Sequence, residues 1–460
     1  MLAEAEPDLK NLKMVIMDYK ILAEQLVKKC LDKGADAAEV YIESGRDLSI
    51  EVRNGEVETV REAASHGTGF RVFVEGKTAF SHCNDFSDDA LEKAVSSAIA
   101  FANNLTPDEN NILPEDESVT EVEGLYDPEI AEVDMERKIE MAKEVEQLAM
   151  ADERITKSSG AGFSEGDSEI FIANSNGLLK SYKSTACSFG VGVVAEKEEQ
   201  KSTGYEYCRR RFFSDLLPPE QIAEKAARDA YELLDPRMVK TQRAVVIFDP
   251  DAARSILGGI LAALNGERVI QGASFLAGNM DNKIASGLLT LIDDGTRPKG
   301  LGSKPFDGEG VHTQKRILID KGILKGFMYN TIIAGRAGVK STGNASRRGF
   351  RSLPGIGPHN LYMAAGKDSR EKIIKATQNG LLLKGATGYG INPVNGNFSG
   401  GASGFWIKNG KIVHPVKGLT IAGTADDMLN RIDMVGDDLD LNRSFTAPTF
   451  RIREMQIGGE

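Results

Sequence analysis

The residues able to carry chemistry are few and scattered. The chain holds five histidines, His66, His82, His312, His359 and His414. No two lie within one helical turn, so no stretch offers the paired imidazoles that hold a catalytic metal. A site assembled in space remains open for His312 with Asp307 and Glu309. The plainer reading is a loop histidine bonded locally. His82 and Cys83 are neighbours; in a strand they point to opposite faces and make no ligand pair. The four cysteines, Cys30, Cys83, Cys187 and Cys208, form no CxxC pair and no disulfide spacing. They read as small buried thiols in a reducing compartment. No Gly-x-Ser-x-Gly elbow supports a serine hydrolase, and no phosphate loop is present. The residues alone therefore assign no catalytic group and no metal ligand.

One stretch offers backbone instead of side chains. Phe398, Ser399, Gly400 and Gly401 open a run of small residues. Glycines within a strand mark a bulge or the close approach of another chain. An extended peptide lying here would add a strand and make this a substrate groove. Close internal packing explains the same glycines equally well.

The elements that must position these residues change character along the chain. Residues 1–13 lack patterning, and Met14 or Met17 offers an alternative start. A first helix has Ile21, Leu22, Leu26, Val27, Cys30 and Leu31 facing inward and ends at Gly34. Alternation of Leu48, Ile50 and Val52 with polar residues predicts a strand, and Asn54-Gly55 a tight hairpin. A second hairpin turns at Glu75-Gly76, and Ser87 opens a helix. Residues 106–134 are acidic and bear prolines, as in a linker. A helix over 135–150, strands around an Asn176-Gly177 turn and a helix over 219–234 then repeat the first pattern. The expectation is two similar α+β units within an N-terminal domain spanning 14–240.

Residues 241–460 are richer in glycine and read as a sheet-rich C-terminal domain. Its organising stretch is a buried strand over 244–248 that runs into Asp249, a helix cap, and Pro250, suited to a first turn. The helix over 252–264 carries Ile256, Leu257, Ile260, Leu261 and Leu264 on one stripe. Glu267 and Arg268, just past it, read as a surface pair. Asp368 and Glu371 have capping-box spacing for a helix ending at Gly380. Hairpins are expected over Lys321-Gly322 and Asn409-Gly410, and Thr424 caps a short helix. The fold class is α+β: hairpin-plus-helix units first, then a large antiparallel or mixed sheet with flanking helices.

Composition bounds the partners. A 460-residue chain, 41% hydrophobic and 27% charged, is long enough for two or three domains. A net charge of -12 argues against direct nucleic-acid binding. The densest basic run, 209–211, reads as a solvated strand or loop. No apolar run reaches membrane length and no secretory leader is evident, so no membrane association and a cytoplasmic location are expected.

Several segments, taken in order, carry a resemblance. They are FDGEG (306–310), STGNASR (341–347), NGNFSGGASGFWIKNG (395–410), TIAG (420–423), VGDDL (435–439) and APTF (447–450). With the stretch 244–278, they resemble the PmbA/TldD family, once described as modulators of DNA gyrase and now regarded as metallopeptidases. The family motifs include Asp307, Glu309, Asn344 and Arg347, with no role assigned to them. Two departures sort the chain within the family. The helix over 252–264 has no HExxxH, the motif that puts two zinc-binding imidazoles and a general-base glutamate on one helical face. The loop 440–446 lacks a cysteine-bearing segment. Both look like the PmbA (TldE) branch, which implies a non-metal partner of a zinc-bearing TldD-type subunit. Zinc is then expected in the partner and no cofactor in this chain. The resemblance implies proteolysis of peptides or unfolded proteins by the pair. Two alternatives stay open: a peptidase with an unrecognised site of its own, and a peptide-binding modulator, such as a homodimer, acting indirectly on gyrase.

Overall fold

The computed structural model describes residues 18–119, 121–388 and 390–460. The reading of residues 1–13 and of Met14 and Met17 lies outside them. The first half builds one sheet. Its elements are α1 (Tyr19–Asp32), β1 (Ala37–Arg53), β2 (Glu56–Val74), β3 (Lys77–Cys83), α2 (Asp88–Ala102), α3 (Met135–Met150), β4 (Ile155–Asn174), β5 (Leu179–Lys197), β6 (Gln200–Arg210) and α4 (Pro219–Tyr231). The sheet order is β3-β2-β1-β4-β5-β6, antiparallel throughout. The run helix, three strands, helix occurs twice, and the two runs meet where β1 pairs with β4. Asn54-Gly55 makes the expected turn, with positive φ at both residues. The connection at Asn176-Gly177 is built differently. Only Gly177 has positive φ there, and the Asn174 side chain accepts from the backbone N–H groups of Asn176 and Leu178 at 2.9 and 3.3 Å.

Alternation divides the long strands between two faces. Along β1, Ala38, Val40, Ile42, Leu48, Ile50 and Val52 are buried. The first three join the core under α1 and α2, and the last three join the core under α3 and α4. On α1, Leu26, Val27 and Cys30 are buried as expected, but Ile21 and Leu31 lie exposed, on the edge of the stripe that Ala23 helps to fill. The opposite face meets the second half of the chain at one end, through Tyr41, Ile170 and Ile172 against Phe306 and Phe350.

The second half contains β7 (Gln242–Phe248), α5 (Pro250–Ala263), α6 (Gly266–Ile270), β8 (Leu291–Asp294), β9 (Lys315–Asp320), β10 (Ile323–Leu324), α7 (Thr331–Arg336), β11 (Ala345–Ser346), β12 (Gly355–Ile356) and β13 (Leu361–Met363). Then come α8 (Arg370–Lys375), β14 (Asn379–Thr387), β15 (Asn397–Lys408), β16 (Lys411–Thr424), α9 (Ala425–Asn430), β17 (Ile432–Val435), β18 (Phe445–Thr446) and β19 (Phe450–Gly458). Two larger sheets form. One has the order β10-β9-β8-β13-β18; the other, β16-β15-β14-β7-β19-β17, is mixed because β7 and β14 run parallel. A further pairing of β16 with β19 closes β7, β14, β15, β16 and β19 into a ring, which removes their free edges.

Local chemistry explains most boundaries and corrects one. Asp249 caps α5 through the N–H of Asp251, Pro250 sits in its first turn, and Thr424 caps α9. The capping-box reading at Asp368 fails. Ser369 is the cap, bonded to the N–H of Lys372, and the helix ends at Lys375. Gly380 lies in β14, where its backbone approaches Val245 too closely for a Cβ.

Candidate functional site

The family-motif residues converge. Glu39 on β1 and Arg71 on β2 are direct cross-strand neighbours and bond at 2.6 Å. Arg71 also reaches Glu309 at 2.7 Å, while the second oxygen of Glu309 accepts from the Thr331 N–H at 2.8 Å. Arg347 pairs with the other oxygen of Glu39, donates to the Gly308 carbonyl at 2.6 Å, and lies over the Tyr41 ring. All four charged side chains are at most 2% exposed. They tie the first sheet to the segment FDGEG. Burial alone would lower the pKa of Arg71, but Glu39 and Glu309 hold it above its ordinary value.

Asp307 organises the loop itself. One carboxylate oxygen accepts from the N–H groups of Glu309 and Val311 at 2.8 and 3.1 Å, and the other from that of Ala345 at 2.8 Å. Burial, with Glu309 beside it, pushes its pKa upward. Asn344 donates to Asp293 at 2.8 Å and to the Gly357 carbonyl at 3.1 Å, and accepts from Thr342 at 2.7 Å. Asp293 also accepts from the His359 N–H at 2.8 Å, and burial pushes its pKa up to about 6. The His359 ring donates from Nε2 to the Gly343 carbonyl at 2.6 Å. Its Nδ1 is buried without a partner among the described residues, and burial takes its pKa down to about 3. Burial likewise lowers the pKa of Lys304. The bonds of this junction hold loops to the first sheet, although Arg71 Nε and the Thr331 hydroxyl, like His359 Nδ1, are buried without a partner among the described residues.

The remaining expectations sort clearly. His312 does not join Asp307 and Glu309; its Nδ1 lies 2.9 Å from Glu117. Among the described residues no three His, Cys, Asp or Glu side chains are arranged to hold a metal ion. The donor set therefore does not fit a zinc site of the HExxxH kind, and no step through a metal follows for this chain. Glu267 accepts from the Gln271 side-chain amide at 3.5 Å and lies exposed with Arg268 in α6, without an ion pair between them.

Phe398, Ser399, Gly400 and Gly401 lie in β15, far along the chain from that junction. Gly401 is paired on both sides, to Thr420 of β16 and Thr387 of β14, and Gly400 to Ile421 of β16 alone. At Gly401 both neighbouring positions are already taken, which leaves no edge for a substrate strand at that residue. A Cβ at Gly400 would stand 2.6 Å from the Thr387 carbonyl oxygen, and one at Gly401 would meet the Thr387 hydroxyl. The geometry favours close packing as the role of these glycines.

Open space lies elsewhere, on the uncovered end of the first sheet. Two concavities of about 440 Å³ each share Ser49, Ser164 and Ser188, with Gly162 and Gly190 beside them. A third, of about 290 Å³, lies between β6, α5 and the loop 440–446. Here the two departures noted in the sequence, a helix without histidine and a loop without cysteine, face one another through Arg254 and Arg443. The basic run 209–211 also divides. Arg211 is buried and clamps the carbonyls of Thr185, Gly300, Leu301 and Ser303, whereas Arg209 is exposed on the rim.

Glu39 and Arg71 escaped the sequence reading, although a signal existed. Each is a lone charge inside an apolar strand run, AAEVYI and GFRVFV, and the two signs are opposite.

Comparison with known proteins agrees with this architecture. PmbA/TldA metallopeptidase domain 1 matches residues 38–102, the central domain residues 128–234 and the C-terminal domain residues 241–459. Metalloprotease PmbA of Escherichia coli O157:H7 is 32% identical over 98% of this chain and 99% of its own length. A metalloprotease TldD homologue of Haemophilus influenzae is 26% identical over 93% of this chain and 94% of its own length. Among solved structures, a candidate modulator of DNA gyrase from Bacteroides thetaiotaomicron superposes with a TM-score of 0.89 at 28% identity, covering 97% of this chain and 100% of that one. TldE from Thermococcus kodakarensis gives 0.85 at 26% identity, covering 95% of this chain and 99% of its own. From domain matches across both halves and full-length similarity at the level of PmbA, the chain belongs to the PmbA/TldD family.

Proposed function

We propose that this chain is the PmbA/TldE-type subunit of a two-subunit metallopeptidase, non-catalytic alone and acting with a zinc-bearing TldD-type chain on peptides or unfolded proteins. The observation that carries this reading is α5. It stands after β7 where HExxxH is expected in the metal-bearing branch, yet it has no histidine, and its apolar stripe is fully packed. At Gly259 the backbone is so close to Ile391 that a Cβ at this position would overlap it. The scattered histidines support the same reading. The net charge of -12 supports a peptide rather than a nucleic acid as the substrate.

The test is reconstitution. The chain alone, supplied with zinc, should not cleave an unfolded peptide. Mixed with a TldD-type chain from the same cell it should form a stable assembly that does, and a chelator should stop the cleavage. Chelator-sensitive cleavage by this chain alone would overturn the proposal.

A further inference from the structure

The pocket beside β6 gathers four arginines. Arg209, Arg210, Arg254 and Arg443 line it, against the carboxylates of Glu206 and Asp440. Arg443 reaches Glu206 at 3.2 Å, and Arg254 reaches Asp251 at 2.8 Å. Lys225, behind them, also pairs with Glu206 and lies 3.7 Å from Asp251. Arg210 donates only to the Arg209 carbonyl, and neither Arg209 nor Arg210 has a carboxylate partner among the described residues. A concavity of about 290 Å³ is thus rimmed by guanidinium groups in excess of acids, on a chain of net charge -12. Planar guanidinium groups donate in pairs to a carboxylate, which makes that group the chemistry of best fit.

The strand leading into the pocket is an edge without a partner strand, engaged within the described residues at the Tyr207 N–H, which donates to the Glu206 carboxylate at 3.2 Å. β6 has eleven residues and pairs only with β5, so its outer row of backbone groups meets no strand among the described residues. Such an edge is a template for another extended chain. Its outward side chains include Tyr205, 63% exposed, and Tyr207, 36% exposed; Arg443 lies over the Tyr207 ring. Aromatic side chains of this kind add contact area to a bound strand at low entropic cost. The edge, the two tyrosines and the arginine pocket follow one another along a single strand.

We infer that β6 seats an extended peptide by strand addition, with a carboxylate of that peptide held in the pocket by Arg209 and Arg254. This names a binding place for the peptide substrate of the proposed function and rests on that reading for its biological role. The binding itself belongs to this chain alone and is tested without any peptidase.

The probe is a fluorescein-labelled hexapeptide of alternating valine and threonine ending in two glutamates, titrated into the isolated chain and followed by anisotropy. Binding should weaken by about tenfold or more when glutamines and a C-terminal amide replace the carboxylates, because charge-assisted pairs are lost. It should also weaken when alternate backbone nitrogens of the peptide are methylated, since strand addition needs those N–H groups. The double substitution Arg209→Gln and Arg254→Gln should weaken binding to a similar degree with an unchanged melting temperature. Equal binding of the acidic and amide peptides would overturn the carboxylate assignment, and so would inorganic phosphate bound as tightly as the peptide. Equal binding of the N-methylated peptide would overturn the strand assignment. If the double variant keeps its peptide affinity but no longer assembles with a TldD-type chain, the edge serves subunit pairing and the inference fails. Failure of reconstituted proteolysis with peptide binding intact would instead count against the proposed function alone.

Discussion

The polar junction around Glu309 and the open end of the first sheet have opposite designs. The junction gathers Asp307, Glu309, Asn344 and Arg347 with Glu39, Arg71 and Asp293, and its charged groups pair with one another, while Arg71 Nε, the Thr331 hydroxyl and His359 Nδ1 are buried without a partner among the described residues. The open end presents serines, glycines and tyrosines to solvent, with guanidinium groups on its rim. Residues that recur in family motifs are thus holding loops to a sheet. The concavities on the first sheet and beside β6 are lined by residues outside the short motifs of the second half. In this molecule the motif residues report how the two halves are joined, and the cavities report where a partner or peptide fits.

If that contrast is right, the largest loss should follow from Arg71→Met. It leaves the carboxylates of Glu39 and Glu309 buried with less compensation. A stability loss of about 3–5 kcal/mol is expected from urea unfolding. A change below about 1 kcal/mol would show that the quartet is not held as described.

Asn344→Ala should cost about 1–3 kcal/mol by the same measurement, because Asp293 and the Gly357 carbonyl each lose a buried donor. Gly401→Val sharpens the contrast from the other side. A side chain there meets Thr387, so the melting temperature should fall, by an equivalent of about 1–3 kcal/mol, while the folded fraction still supports cleavage in the assembled pair. Normal stability with lost cleavage would return the segment 398–401 to the status of a groove.

A smaller effect depends on pH. The folded pKa of His359 is about 3, below the ordinary 6.5. The unfolded chain therefore binds a proton that the folded one refuses. The contribution is fully present above pH 6.5 and is lost as pH falls toward 3, at up to about 1.4 kcal/mol per pH unit. Asp293 works in the opposite sense. Its folded pKa is raised to about 6, so its contribution is lost as pH rises through that value. Asp293 is common to both proteins when wild type is compared with His359→Gln. The stability advantage of wild type over the variant should therefore shrink between pH 7 and pH 5. A difference independent of pH would place the ring in solvent. The smallest effect belongs to the open face, where Ser188→Ala should change stability by less than about 0.5 kcal/mol.

The fold was legible where local chemistry acts alone. Asn54-Gly55, Asn409-Gly410, the Asp249-Pro250 helix start and the Thr424 cap all stand in the structure as the sequence predicts. Legibility failed where tertiary context chose between neighbours. Ser369 was preferred to Asp368 as a cap, and Asn174 rebuilt the turn at Asn176-Gly177. The closure of β16 onto β19 joins residues far apart in sequence, and no local pattern encodes it. The same is true of the junction. Glu309 and Arg347 can be picked out as motif positions, but their partners Arg71 and Glu39 lie more than two hundred residues away. Only a pair of lone charges in apolar strands hinted at them. The arginine pocket draws on β6, α5 and the loop 440–446 together, so it exists only after folding.

The most direct test of the account is peptide hydrolysis by this chain mixed with a TldD-type partner in two forms, wild type and with the glutamate of its HExxxH changed to glutamine. The account predicts zinc-dependent cleavage with the wild-type partner and none with the substituted one, although both assemble with this chain. Cleavage that persists with the substituted partner would place a catalytic centre in this chain and contradict it.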